Sequence, residues 1–158
     1  MKTSVCKHAR SRGFSIVEVL VALVVLAVGM LGIAGLYVTT LRASNGAIYR
    51  TIAVNLAADM ADRIRANPLA GPAYGGAAAD NDCVGADDDC TGAQMAADDL
   101  FHWNNELAAA LPDDGNVATP QGTVAVAGAA APRTYTITVT WVEPAEPAPL
   151  TYVLRMQI

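Results

Sequence analysis

A glycine, an aromatic residue and a carboxylate stand at close spacing near the start of this chain: Gly13, Phe14 and Glu18, followed by a stretch from Val19 to Leu41 with no charged side chain. An ionised carboxylate at the mouth of such a stretch costs about 2.5–3.5 kcal/mol to insert into lipid, so Glu18 needs a cation. Arg12 and Arg10, one to two helical turns back, are one answer. Cleavage after Gly13 is another, because it frees an α-amine on Phe14 that is charged near neutral pH and lies one turn from Glu18. The chemistry invited here is hydrolysis of the peptide between Gly13 and Phe14, followed by pairing of an amine with an acid.

Other reactive residue types are sparse. Cys83 and Cys90 enclose a short loop, and closing it under oxidising conditions adds roughly 2 kcal/mol by loop-closure entropy, so a disulfide is expected. Cys6 leaves with the first 13 residues if the cut is made, which removes the odd cysteine. Asp80, Asp82, Asp87, Asp88 and Asp89 crowd the same loop and make calcium the rival reading. Two thiols without a nearby His match no zinc pattern, however, and the acids do not follow EF-hand spacing, so no metal and no cofactor is expected. His102 has no neighbouring ligand or nucleophile and reads as an exposed helix residue. With no nucleophile elbow, phosphate loop or histidine cluster, the chain is not expected to be an enzyme.

The elements that carry these residues divide the chain in two. Lys2, Lys7, Arg10 and Arg12 all precede the apolar stretch, so removing residues 1–13 takes four of ten basic residues and none of fifteen acidic ones, moving the formal charge from -5 to -9. A body that acidic offers no basic patch for phosphate backbones, and nucleic acid is not an expected partner. The basic leader places itself in the cytoplasm by the positive-inside bias, with the bulk of the chain across the inner membrane. An uncharged stretch of this length spans about 30 Å, enough to cross the hydrocarbon core. It is longer than the apolar segment of a secretory signal, and no cysteine follows it as a lipoprotein signal requires.

Nothing strongly helix-breaking occurs from Ser15 to Asn67, which predicts one helix running on into the polar part. Its second half carries an apolar stripe, Ile48, Ile52, Leu56, Met60 and Ile64, flanked by Ala53, Ala57 and Ala61. Gly29, Gly32 and Gly35 mark either close helix packing or local flexibility in the first half. Residues 69–97 read as a Gly, Ala and Asp-rich surface loop without core. Asp98 and Asp99 are expected to cap a short helix whose Leu100, Trp103, Leu107 and Leu111 face the body. Alternation then predicts a weak strand at Thr123–Val126 and a strong one over residues 134–142. A third strand follows at 150–158, separated from the second by the proline-rich stretch EPAEPAP. The result is an α+β chain, a small antiparallel sheet laid on the amphipathic half of the helix.

The run Arg12-Gly13-Phe14-Ser15-Ile16-Val17-Glu18, with the apolar stretch behind it, resembles the class III signal of type IV prepilins. The stretches ALVVLAVGMLGIAGLYVTTLRAS and RTIAVNLAADMADRIRANP resemble PilV-type minor pilins, also called type IV pilus modification proteins. The resemblance covers residues 10–68 and thins beyond. It implies the type IV pilin fold and four segments: leader 1–13, transmembrane and filament-core helix 14–41, amphipathic helix 42–67 and periplasmic domain 68–158. It further implies cleavage after Gly13 by a prepilin peptidase, N-methylation of Phe14, and Glu18 answering the amine of a neighbouring subunit. The implied partners are that peptidase, the inner membrane, other minor pilins and the major pilin, and the implied destination is the pilus. A type II secretion pseudopilin shares the first half of these features, and an uncut membrane-anchored periplasmic binding module is the reading from another class.

Overall fold

The computed structural model describes residues 13–83, 89–113, 120–128, 130–143 and 148–158. Residues 1–12 of the leader, Asp87 and Asp88 of the acidic loop and the middle of the EPAEPAP stretch lie outside the described residues. The chain divides into two compact units, residues 1–43 and 44–158.

Helix α1 runs unbroken over Ile16–Ala66, as the absence of proline allows. Within the first unit every described residue of this helix is exposed, and nothing lies within 4 Å of a Cβ added at Gly29, Gly32 or Gly35. Among the described residues nothing packs against these glycines, and the helix continues through them. By length and composition α1 is apolar enough to cross a membrane.

The second unit is built around the end of α1. Ala53, Ala57, Met60, Ala61 and Ile64 are buried in one cluster with Trp103 and Leu107 of helix α2 (Gly92–Ala110) and Ile137 and Val139 of the sheet. The apolar stripe is thus real, but its centre lies on the alanines: Ile52 and Leu56 are only partly buried and Ile48 is 52% exposed. Small side chains let neighbours approach the helix backbone, and Trp103 uses that access, its indole Nε1 donating to the Leu56 carbonyl at 2.8 Å. The hydrogen bond satisfies the polar edge of a fully buried ring.

Strands β1 (Gln121–Ala127), β2 (Thr134–Trp141) and β3 (Leu150–Gln157) form one antiparallel sheet in the order β1-β2-β3. The period-2 pattern sets its register: Val124, Ile137 and Leu154 are direct cross-strand neighbours on the inward face, as are Tyr135 and Met156. The threonines at 134, 136, 138 and 140 turn to the opposite, less buried face. The fold is α+β, a long N-terminal helix with a small three-stranded antiparallel sheet.

Two expectations are corrected. The stretch 69–97 is not all surface loop: Pro68–Gly75 forms a 3-10 segment whose Ala70 and Tyr74 are buried in the core. A single tyrosine suffices because small neighbours surround it and Gly71, at φ 55°, takes a backbone turn that other residues resist. Helix α2, moreover, begins six residues before Asp98. The Thr91 hydroxyl accepts the Gln94 amide at 3.3 Å while Gln94 Oε1 accepts the Thr91 amide at 2.9 Å, a reciprocal cap that outcompetes the aspartates.

Candidate functional site

Gly13, Phe14 and Ser15 precede the helix in non-helical, exposed backbone, so the peptide expected to be cut is open to an enzyme. The first turn forms at Ser15, whose carbonyl accepts the Val19 amide at 3.3 Å. Glu18 falls inside that turn, where unpaired amides and the helix dipole favour negative charge, typically by 0.3–1 kcal/mol. The carboxylate therefore has a use that the sequence reading missed: it stabilises the start of the helix as well as seeking a cation.

Spacing then determines which side chains meet. Phe14 and Glu18 stand four residues apart and line one shallow groove with Val19, Ala22, Leu23 and Leu26. The new amine of a chain cut at Gly13 would emerge beside this groove, which is apolar apart from one acid. Phe14 is 83% exposed, and large apolar side chains continue outward from Ile16 to Leu41. An apolar surface this extensive requires lipid or other helices around it. The local alternative, pairing of Glu18 with Arg10 or Arg12, falls outside the described residues.

Elsewhere the structure joins residues that the sequence left separate. Cys83 and Cys90 are disulfide-bonded with Cα atoms 5.8 Å apart, as expected from their spacing. His102 does have a partner, contrary to its reading as an isolated helix residue: Nε2 lies 3.5 Å from Oδ2 of Asp98, one turn earlier on α2, and Asp80 approaches the same pair. The four-residue spacing of Asp98 and His102 was the available signal.

A second network closes the end of α1. Arg63 pairs with Asp59 at 2.8 Å and Glu106 at 2.9 Å and lies 3.9 Å from Asp99. Burial works against the Arg63 charge, but the hydrogen bonds to Glu106 and Asp59 outweigh it and raise its pKa. The Tyr74 hydroxyl lies 2.6 Å from Asp99 Oδ2 and 3.1 Å from the Arg63 carbonyl, and burial followed by the bond to the Asp99 carboxylate pushes its pKa up. Glu143, buried two residues beyond β2, accepts Arg50 Nε and Trp141 Nε1, each at 3.4 Å. Gly46 leaves its room, since a Cβ there would stand 2.8 Å from Glu143 Oε2. These ion pairs and hydrogen bonds fasten the elements of the second unit to one another.

Two family models match the chain in succession. Residues 8–34 match the prokaryotic N-terminal methylation motif, and residues 35–101 match the type IV pilin Tt1218-like family. The first match contains the Gly13, Phe14 and Glu18 constellation, and the second runs from the apolar half of α1 into α2. No curated protein and no solved structure matches the chain.

Proposed function

We propose that this chain, a type IV pilin bearing a class III prepilin signal, is a minor pilin of the PilV type that helps initiate or join pilus assembly. The observation that carries the proposal is the placement of Phe14 and Glu18 on one groove at the start of an exposed apolar helix.

The mechanism is association rather than reaction. Residues 14–41 hold the precursor in the inner membrane with the second unit in the periplasm. Prepilin peptidase hydrolyses the peptide after Gly13, and the Phe14 amine is methylated. When the subunit leaves the bilayer, the apolar helix exchanges lipid for the helices of other pilins. Glu18 and a neighbour's Phe14 amine then neutralise each other in a medium where either charge alone is costly. The second unit acts as a non-catalytic body that sets contacts with other minor pilins and the major pilin. Nucleic acid is not among its partners.

Deletion tests the pilus assignment against the pseudopilin alternative. A deletion strain should lose surface pili and twitching while retaining protein secretion, with both pilus phenotypes restored by the intact gene. Lost secretion with normal piliation would overturn the assignment.

A further inference from the structure

A cluster formed by Asp98 and His102 of α2 with Asp80 of the preceding loop has no role in the assembly proposal. We propose that Asp80, Asp98 and His102 form a binding site for one divalent transition-metal cation of the zinc class. One donor atom from each, a carboxylate oxygen from Asp80 and Asp98 and an imidazole nitrogen from His102, lie within 4.8 Å of one another.

The site is built rather than a chance crowding of surface acids. Asp98 is 1% exposed, an unusual position for a carboxylate. Its Oδ1 accepts the Asn81 amide at 2.7 Å, which fixes the group and leaves Oδ2 facing His102 Nε2. Oδ2, the other oxygen of this buried carboxylate, lies 3.5 Å from His102 Nε2, so both side chains turn toward the cluster. The segment bearing Asp80 is tied to α2 on both sides. Ala79 donates its amide to the Ala97 carbonyl at 3.0 Å, Asn81 Nδ2 donates to the Gln94 carbonyl at 3.0 Å, and Cys83 is bonded to Cys90 just before the helix cap. These ties hold Asp80 opposite Asp98 and His102 before any ion arrives.

The donor set selects the cation. Calcium and magnesium prefer all-oxygen shells of six or more ligands, whereas an imidazole with two carboxylates suits zinc and its neighbours. Ligands about 2.0–2.2 Å from zinc stand roughly 3.3 Å apart, so binding requires a small inward rotation, which the exposed Asp80 side chain can make. The imidazole is half open to solvent, leaving room for water to complete four-coordination. A bound ion would clip the disulfide loop onto α2, adding a cross-link beside the covalent one. This inference does not depend on the role in pilus assembly.

The test is calorimetric titration of the metal-free full chain in detergent micelles with zinc chloride, alongside Asp80→Ala and His102→Ala. The wild type should bind one zinc per chain at this site. Each variant should weaken binding by roughly tenfold or more, since even outer partners of metal ligands contribute 10–100-fold. Asp80 is exposed and outside the core, so Asp80→Ala should retain the metal-free melting temperature and remain informative if the other variant does not fold. Absence of saturable zinc binding, or equal affinity in wild type and Asp80→Ala, overturns the site. Equal competition by calcium chloride overturns the choice of cation.

Discussion

Glu18 is held by two forces of different reach. The dipole at the start of α1 acts within one turn and favours the carboxylate in any single chain. The cation it seeks, in the proposed account, comes from the Phe14 amine of another subunit. Glu18→Ala should therefore leave leader cleavage largely intact but deplete the protein from sheared filaments; an immunoblot showing wild-type incorporation would sink the pairing. Steric constraints are as local in the second unit. A Cβ on Gly122 would press into the ring of fully buried Trp103 and stand 2.6 Å from Leu107 Cδ1. Gly122→Ala should lower unfolding free energy by about 1–3 kcal/mol, measured by denaturant titration, and an unchanged midpoint would show that the contact relaxes freely.

Tyr74 gives a pH signature at the same scale. Its folded pKa is raised above the usual 10.0, first by burial and then by the hydrogen bond and charge of Asp99. Above pH 10 the unfolded chain releases this proton while the folded chain keeps it, so the folded state binds more protons and stability falls with rising pH. The stabilisation is fully present below pH 10 and is lost between that value and the folded pKa. Tyr74→Phe should cost about 1 kcal/mol at neutral pH and flatten part of the alkaline decline in denaturation midpoint. Identical pH profiles for variant and wild type would contradict the assignment.

At the scale of elements, legibility followed the distance over which each decision is made. Strand β2 was readable because alternation of Tyr135, Ile137, Val139 and Trp141 with threonines is a property of the stretch itself. The disulfide was readable from the spacing of its two cysteines, and the α1 stripe from its period. Burial of Tyr74 was not, because its partner Asp99 lies 25 residues away, and neither was burial of Glu143, paired with Arg50 across 93 residues. The α2 start was misassigned although Thr91 and Gln94 carry the capping-box spacing, since two adjacent aspartates are the louder local signal. The ligand cluster on α2 needed the loop to be folded back before Asp80 could join Asp98 and His102. Replacing Cys83 and Cys90 by serine should lower stability by about 2 kcal/mol through the freed loop, with α2 retained by circular dichroism. Loss of the helix together with the disulfide would mean that the Thr91 cap cannot hold α2 alone.

For the whole molecule, the two units follow from one contrast in composition. Residues 44–158 bury their own core around the alanine face of α1, whereas the apolar face before Ala43 is left for lipid or other helices. In the proposed account that contrast is used twice, first by an anchored precursor and then by a filament subunit, with cleavage after Gly13 as the step between. The decisive measurement is the intact mass and N-terminal fragment spectrum of the protein from native membranes and from sheared surface filaments. The account predicts a chain beginning at N-methylated Phe14 in the filament fraction. A chain beginning at Met1 in both fractions would contradict it and leave residues 14–41 as a plain membrane anchor.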